Sequence, residues 1–313
     1  MEKAPKLLPD VKVEWVQGAM EDVPGFEHAR DGMDVLFHTA PNFREVYGPG
    51  DHDTKLEAIN VRGSETLMRA AHRRGVTRAV DTSSSGILGV APNGAESDEN
   101  TPPGPLQTAN PSLRSKVRSE KALQARRAET DFPISFVLPG WMFGPQDAAP
   151  TRAGQVVLDF LHQKLPGILD AGTSGADARD VAQAMVSIVE RGKAGERCMA
   201  SGPFADFQTL RVTQQSVSGV PAPRRHIPQS VSLGFAYLSE LWARLTGVSS
   251  VASVLAVRTL QAKLRVSSAK SIRELGATYR PLGTTLADTV TWMRRWRGLE
   301  TPLPQGRVVP HKA

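Results

Sequence analysis

The fold is decided by residues 35–85, which read VLFHTAPNFREVYGPGDHDTKLEAINVRGSETLMRAAHRRGVTRAVDTSSS. Val35–His38 is a short apolar run of the kind that is buried in a parallel sheet. Lys55–Arg74 has helical spacing and stops before Gly75, a residue that suits a helix C-terminus. Arg78–Thr82 then predicts a second strand, which leads into three serines. The segment therefore predicts a strand–helix–strand unit.

The same alternation extends outward from about residue 11 to residue 200. Val11–Val16 alternates with period two and predicts a strand, and Asn110-Pro111 predicts the start of a helix. The remaining predicted elements are a short helix ending at Gly32, the helix from Asn110 to about Glu129, strands at Ile134–Leu138, Gly167–Ala171 and Arg197–Ala200, and a helix at Ala178–Arg191. This order predicts an α/β fold, a doubly wound parallel sheet that binds ligands at the carboxyl ends of its strands.

The pattern changes beyond Pro203, where it becomes mostly helical with Pro and Gly breaks. We therefore expect a sheet domain over residues 1–200 and a small, mostly helical substrate-binding lobe over residues 201–300. Residues 301–313 are rich in Pro and Gly and are expected to form a tail.

The bulk composition is ordinary for a soluble globular enzyme or binding protein. Apolar residues make up 40% of the 313 residues and charged residues 22%. Lys and Arg outnumber Asp and Glu by 38 to 32, which gives a net charge of +6, but the basic residues are dispersed. Because no basic stripe with interleaved aromatic residues is present, we expect no nucleic-acid partner.

Residues that form disulfides or bind metals are few. Cys198 is the single cysteine, so no internal disulfide can form, and a reducing, cytoplasmic location is expected. The seven histidines do not cluster at ligand spacing, and we expect no metal site.

The most apolar stretch, Val231–Leu260, is too interrupted to span a bilayer. Glu240, Arg244 and Arg258 divide it. Its spacing predicts amphipathic helices in the substrate lobe, and a role at a membrane surface is the alternative interpretation.

Short motifs follow one another in a fixed order over nearly the whole chain. They are Asp34–Ala40, Asn60–Ser64, Thr82–Ser84, Arg114–Lys116, Leu138–Trp141, Gly144–Pro145, Asp177–Ala182, Ser267–Lys270 and Glu274–Gly276. Together they resemble the extended short-chain dehydrogenase/reductase family, in the branch of dihydroflavonol-reductase-like, hydroxysteroid-dehydrogenase-like and NAD-dependent epimerase/dehydratase proteins. The resemblance implies a Rossmann-like sheet, NAD or NADP as cofactor, and hydride transfer.

The resemblance also implies catalytic roles. In such a site a tyrosine exchanges a proton with the substrate, and a lysine four residues later holds the nicotinamide ribose and lowers the pKa of the tyrosine. A serine at a neighbouring strand end hydrogen-bonds the substrate oxygen. Ser84 falls on this serine and Lys116 on the lysine, while Asn60 falls on an asparagine that anchors the active-site helix.

Binding residues follow from the same match. Ala40 and Pro139 are expected to contact the cofactor together with Lys116. Trp141 and Met142 follow the carboxyl end of a strand and are expected to line an apolar substrate pocket with Ser84, with plain core packing as the alternative.

The catalytic tyrosine of the family pattern is absent. Ser112 stands four residues before Lys116 and is expected as the third catalytic residue, although a serine hydroxyl does not titrate near neutral pH. Tyr47, in a loop, is one alternative proton donor. His38, at a strand end, is another, but the family often has a structural histidine there.

The glycine-rich head of the family pattern is also missing. No strand, Gly-x-x-Gly-x-x-Gly turn and helix precede Val11–Val16, and Ala19 stands where the family has an aspartate on the adenine side. The expected fold is thus N-terminally truncated, and Val35–His38 becomes an exposed apolar edge. A start codon further upstream, direct pairing of Val11–Val16 with that edge, or cover by another subunit would protect it.

Two functions remain open. The first is an NAD(P)-dependent oxidoreductase or epimerase acting on a hydroxyl or ketone of a fairly apolar small molecule. The alternative is a degenerate or cofactor-independent relative that binds a small ligand or a partner chain without hydride transfer. Members of the family often dimerise through the helices that here are Lys55–Arg74 and Ser112–Glu129, so a homodimer is expected.

Overall fold

The structure is a computed structural model and describes residues 12–39, 52–248 and 252–298. Its strands are β1 (Val35–His38), β2 (Arg78–Thr82), β3 (Ile134–Pro139), β4 (Trp141–Phe143), β5 (Ile168–Leu169), β6 (Gly172–Asp177), β7 (Arg197–Ala200), β8 (Phe204–Asp206) and β9 (His226–Ile227). The main sheet is parallel throughout and has the order β1-β2-β3-β7. The predicted parallel sheet is therefore confirmed.

Helices connect these strands. They are α1 (His52–Leu56), α2 (Ser64–Arg73), α3 (Pro105–Ala109), α4 (Pro111–Thr130), α5 (Arg152–Leu161), α6 (Ala178–Arg191), α7 (Phe207–Ser218), α8 (Gln229–Thr246), α9 (Val254–Gln261), α10 (Ala269–Leu275) and α11 (Leu282–Arg297). A π-helical stretch, Glu57–Gly63, joins α1 to α2, so the helix predicted over Lys55–Arg74 is present and begins a little earlier. The helix predicted at Ala178–Arg191 is confirmed at both ends.

Helices cover both faces of the main sheet because the strands are apolar on both sides. In β2, Ala79 packs in one core cluster and its neighbour Val80 in the other. The first cluster contains Leu123 of α4, and the second contains Ile188 of α6. The alternation of side chains along each strand therefore places α4 and α6 on opposite faces.

A third core cluster lies outside the main sheet. It joins α5, α7 and α11 through Val157, Phe207 and Leu286, all buried. Phe143 of the small sheet β4-β6-β8 and Ile168 of the two-stranded sheet β5-β9 also belong to it. The chain beyond residue 203 is mostly helical, as predicted, and among the described residues no helix has the length and apolarity needed to cross a bilayer.

Two predicted strands need correction. The described part of Val11–Val16, from Lys12 onward, forms no strand, and Val13 and Trp15 are exposed, because no neighbouring strand offers its backbone groups a partner. The strand predicted at Gly167–Ala171 is reduced to β5, since pairing with β9 covers only Ile168 and Leu169.

β1 forms one side of the main sheet. Among the described residues its only strand partner is β2, and Phe37 at its centre is 42% exposed. The apolar edge that the sequence predicts at Val35–His38 is therefore present.

Candidate active site

Lys116 lies on α4 with its amine at the carboxyl end of β2. Its Nζ donates a hydrogen bond to the Thr82 carbonyl oxygen over 2.6 Å, and the side chain is almost fully buried. Burial lowers the pKa of Lys116 to about 8, while the carboxyl groups of Asp81 and Glu120 act in the opposite direction. An amine with this pKa can hold a ligand hydroxyl or exchange a proton near neutral pH.

Ser112 lies in the first turn of α4, on the same helix as Lys116. Asn110 Oδ1 accepts hydrogen bonds from the backbone N–H of Ser112 (3.0 Å) and Leu113 (3.3 Å), which confirms the predicted helix start. The Ser112 side chain is buried, and its Oγ has no hydrogen-bond partner among the described residues. Ser112 and Lys116 are about one helical turn apart, so one rigid element carries both.

Asn60 contacts this part of α4 from the π-helical stretch. Its Nδ2 donates to Ser115 Oγ over 2.9 Å, and Ser115 Oγ donates to the Ser112 carbonyl oxygen over 2.8 Å. The asparagine that the resemblance singled out thus contacts the helix that bears Ser112 and Lys116.

Ser84 follows β2 and lies at the same edge of the sheet. Its Oγ accepts a hydrogen bond from the Gly86 backbone N–H over 3.1 Å, which leaves its hydroxyl hydrogen for another acceptor. The preceding Ser83 is buried and donates to Glu120 Oε2 over 2.9 Å. Lys116 Nζ bonds the carbonyl of Thr82, two residues before Ser84, so Lys116 contacts the strand end from which Ser84 follows.

His38 ends β1 and is buried. Its Nε2 lies 2.8 Å from Ser64 Oγ and 3.9 Å from Asp81 Oδ1. Burial, and then the charge of Lys116, lower the pKa of His38 to about 3. The imidazole is therefore neutral at ordinary pH, the contact with Asp81 is not an ion pair, and the structural role is favoured over that of a general base.

Asp81 is a buried carboxyl group that the sequence analysis missed. It pairs in register with His38 across β1 and β2, and its Oδ1 has no hydrogen-bond partner among the described residues. Burial raises the pKa of Asp81 to about 7, against the opposing effect of Lys116. The available signal was an acidic residue directly after the apolar pair Ala79-Val80, inside the predicted strand Arg78–Thr82.

The predicted substrate residues lie on β4 and point to opposite sides. Trp141 packs against Phe143 and Phe207, with ring centroids 6.5 Å and 6.0 Å apart, at the border of the third core cluster. Met142 is more exposed, at 37%. Core packing accounts for Trp141, whereas Met142 has side-chain surface left for a ligand.

Of the two predicted cofactor contacts besides Lys116, the structure describes only Pro139. Pro139 is buried at the end of β3, at the same edge of the sheet as Ser84. Ala40 lies outside the described residues, as does Tyr47. The described tyrosines do not replace the missing phenol, because Tyr237 bonds Arg258 and Tyr279 bonds Ser271 and the Met199 carbonyl.

An open groove of about 610 Å³ lies along the chain between Ser84 and Ser112. Residues 89–92, 98 and 100–107 line it, and neither serine is among them. The groove therefore does not coincide with the Ser84–Lys116 pair.

The arrangement fits one end of a nicotinamide dinucleotide. Lys116 supplies a buried amine at the edge where the ribose is expected, next to the unpartnered Ser112 hydroxyl. Within residues 12–39, 52–248 and 252–298, no Gly-x-x-Gly-x-x-Gly turn leads from a strand into a helix to receive a pyrophosphate. Asp22, which follows Ala19 in the next turn, has an exposed carboxylate whose Oδ1 accepts a hydrogen bond from the Gly25 backbone N–H over 3.2 Å.

Cys198 and the possible metal ligands do not form a further site among the described residues. Cys198 is buried in β7, and burial raises the pKa of its thiol to about 11, as expected of a packing residue. In the described part of the chain no three His, Cys, Asp or Glu side chains are grouped to hold a metal ion.

Comparison with known proteins agrees with the architecture. Sterol demethylase protein B of Methylococcus capsulatus is 30% identical over 93% of this chain and 88% of its own length. A 4-hydroxy-2-methyl-3-oxo-4-farnesyl-3,4-dihydroquinoline-1-oxide ketoreductase of Stigmatella aurantiaca is 25% identical, over 95% of this chain and 86% of its own length. The crystal structure of gox2253 superposes with a TM-score of 0.79 at 29% identity and covers 92% of this chain and 86% of that chain.

The family profile that describes the NAD dependent epimerase/dehydratase family matches residues 3–199. That range includes the main sheet except Ala200, the last residue of β7, and it includes Ser84, Ser112 and Lys116. The chain therefore belongs to the NAD dependent epimerase/dehydratase family.

Proposed function

We propose that the chain is an NAD(P)-dependent oxidoreductase or epimerase-type enzyme that acts on a hydroxyl or ketone of a fairly apolar small molecule. The observation that carries the proposal is the hydrogen bond from Lys116 Nζ to the Thr82 carbonyl, which joins the helix of Ser112 to the strand end of Ser84. Family membership supports the reaction type. The sterol and the farnesylated quinoline in the names of two relatives support an apolar substrate.

Each residue has one task in this proposal. Ser84 donates a hydrogen bond to the substrate oxygen, and Lys116 holds the nicotinamide ribose. Pro139 and Ala40 are the further cofactor contacts of the proposal. When bound, the nicotinamide exchanges a hydride with the substrate carbon. Met142 offers apolar surface to the substrate.

The proton for the substrate oxygen passes through Ser112. A serine hydroxyl relays a proton but does not store one near neutral pH. Lys116, with a pKa of about 8, is mostly protonated at pH 7 and is the group in this pair that titrates. We therefore expect slower proton transfer than a phenol at position 112 would give.

The proposal extends to the organisation of the chain. The sheet domain over residues 1–200 carries the chemistry, and the helical lobe over residues 201–300 shapes the substrate site. A homodimer through the surface of α1, α2 and α4 is the expected assembly.

The experiment compares Ser112→Tyr with Ser112→Phe, which matches its ring without the hydroxyl. Oxidation of NADH and of NADPH is followed with a panel of apolar ketones, at matched levels of bound cofactor. We expect Ser112→Tyr to raise turnover about a hundredfold over Ser112→Phe, since a positioned general acid contributes roughly 10² to 10⁴ in rate.

Lys116→Met serves as the second control, because it removes the amine and keeps most of the volume. It should abolish the gain when combined with Ser112→Tyr. Equal turnover of the tyrosine and phenylalanine variants, both folded and loaded with cofactor, would refute the proposed site.

The serine that stands at position 112 in place of the family tyrosine favours one second candidate. This is a cofactor-independent relative that binds a small ligand or a partner chain at the same edge. This candidate predicts a different result for Lys116→Met. Neither the wild type nor the variant would bind NADH or NADPH.

A further inference from the structure

Asp81 is a buried carboxyl group that has no part in the proposed chemistry. It is 2% exposed, and its Oδ1 has no hydrogen-bond partner among the described residues. A carboxyl group is costly to bury in this state, because a charge or a polar atom inside a protein loses the solvation of water. The side chains that face Asp81 from the neighbouring elements therefore decide what the group can do.

Asp81 faces α4 from β2. Alternate residues of a strand point to the same side of a sheet, so Ala79, Asp81 and Ser83 share one face. Ala79 packs in the core cluster to which α4 contributes, and Ser83 Oγ donates to Glu120 Oε2 of α4 over 2.9 Å. Lys116 is about one helical turn before Glu120. Asp81 therefore lies against the stretch of α4 that carries Lys116.

Three other side chains adjoin Asp81 without neutralising its charge. His38 of β1 has its Nε2 3.9 Å from Asp81 Oδ1 and is neutral at ordinary pH, because burial lowers its pKa to about 3. Phe136 of β3 is in register with Asp81 and is apolar. Glu120 carries the same sign of charge, and its own counter-charge is Arg197, whose Nε lies 2.7 Å from Glu120 Oε1. None of the three is a cation at neutral pH.

Lys116 is the cation that α4 brings to Asp81. Its Nζ donates to the carbonyl oxygen of Thr82, the residue next to Asp81, over 2.6 Å. That bond goes to the backbone, so the carboxyl group acts on the amine through space. Both groups are almost fully buried, and charges in a dry interior interact over distances at which water would screen them. Burial lowers the pKa of Lys116, and the charge of Asp81 opposes that change.

We propose that Asp81 is a positioning residue that keeps the Lys116 amine protonated for the cofactor ribose, an inference that rests on the proposed function. Ser112, one turn before Lys116 on α4, does not titrate near neutral pH, so the titrating partner of the lysine is this carboxyl group on β2. Without its charge, the desolvated amine loses its proton at a lower pH. The charge-assisted hydrogen bond from the amine to the ribose is lost with the proton.

The test follows the Lys116 amine itself, without cofactor. Protein labelled with carbon-13 at the lysine ε-carbon is titrated by NMR, and the Lys116 signal is identified by its loss in Lys116→Met. We expect a midpoint near pH 8 in the wild type. In Asp81→Asn it should be lower by at least about one pH unit, because a nearby opposite charge moves a pKa by about 1 to 3. Asp180→Asn removes a buried carboxylate of α6, on the opposite face of the sheet, and should leave the midpoint unchanged.

The cofactor arm separates a charge effect from a structural one. The affinity of wild type and Asp81→Asn for NADH and NADPH is measured at pH 6 and at pH 8. A midpoint lowered by one pH unit makes the variant bind roughly fivefold more weakly at pH 8 and about equally at pH 6, where the amine is protonated in both proteins. A purely structural role of Asp81 would weaken binding by the same factor at both pH values and would overturn the inference.

A reciprocal measurement keeps the inference testable if Asp81→Asn does not fold. Burial raises the pKa of Asp81, and Lys116 opposes that rise, so the Asp81 carboxyl carbon should titrate at higher pH in Lys116→Met than in the wild type. A Lys116 midpoint that stays in place in Asp81→Asn, or an Asp81 midpoint that stays in place in Lys116→Met, overturns the inference. A displaced Lys116 midpoint in a protein that binds neither cofactor would support the coupling of the two groups and overturn the proposed function alone.

Discussion

At the scale of single residues, the pair Asp81 and Lys116 sets the electrostatics of the site. Burial raises the pKa of the carboxyl group and lowers that of the amine, so each is driven toward its neutral form. Their mutual attraction opposes both changes. The outcome is a buried amine that titrates close to neutral pH at the end of β2.

The depressed pKa of Lys116 predicts how stability changes with pH. Between pH 8, its pKa in the folded chain, and pH 10.5, its ordinary value, the unfolded chain holds the proton that the folded chain has lost. The free energy of unfolding of the wild type should therefore rise with pH across this window, relative to Lys116→Met, by up to about 1.4 kcal/mol per pH unit. Denaturant unfolding of both proteins from pH 7 to pH 10.5 measures it, and a difference that stays constant with pH would contradict the assignment.

Sequence alone predicted Ser84, Ser112 and Lys116 as candidates and could not predict Asp81. The first three follow from the resemblance of short local motifs to the family pattern, because strand ends and a helix turn are local features. The role of Asp81 depends on burial between β1 and α4, which only the assembled fold shows. Trp141 illustrates the same limit, because its packing against Phe207 joins segments far apart in sequence.

At the scale of elements, β1 is the exposed side of the main sheet. Phe37 is 42% exposed at the centre of a short apolar strand that pairs only with β2 among the described residues. Such an edge favours pairing with another chain. The sequence alone does not decide which segment or subunit covers this edge of the sheet.

Phe37→Lys should therefore slow aggregation several-fold, since charge on an edge strand opposes pairing between chains. Its effect on the denaturation midpoint should be small because the side chain is largely exposed. Met33→Lys adds the same charge at an exposed residue outside the strand and is the control. Light scattering at elevated temperature measures the aggregation rates. Equal rates for Phe37→Lys and Met33→Lys would show that the β1 edge does not drive aggregation.

Most elements were predictable because their signals are local. The strand at Arg78–Thr82 and the helix at Ala178–Arg191 have the predicted bounds. The prediction of a strand at Val11–Val16 was wrong because a strand needs a neighbouring strand as well as alternating side chains. The sequence pattern shows only the alternation. The exposure of Leu238 and Trp242 on α8 was likewise not predictable, because periodicity shows that a helix has an apolar face but not which way that face points.

At the scale of the whole molecule, a parallel sheet carries the candidate site, and a separate core cluster joins α5, which precedes β7, to α7 and α11, which follow it. The family match covers the main sheet except Ala200, whereas α8 lies beyond its limit at residue 199. The proposed substrate lobe is therefore the part of the chain that the family model does not match. The division at residue 200 remains a prediction that limited proteolysis can address.

The central claim is that this chain uses a nicotinamide dinucleotide held at the Ser84–Lys116 edge. The most direct measurement is a titration of the folded, monodisperse protein with NADH and with NADPH, followed by cofactor fluorescence and thermal shift. We predict binding at micromolar concentrations by at least one of the two and at least tenfold weaker binding by Lys116→Met, because the variant loses a charge-assisted hydrogen bond to the ribose. No binding of either cofactor to the folded wild type, or equal binding by Lys116→Met, would contradict the account.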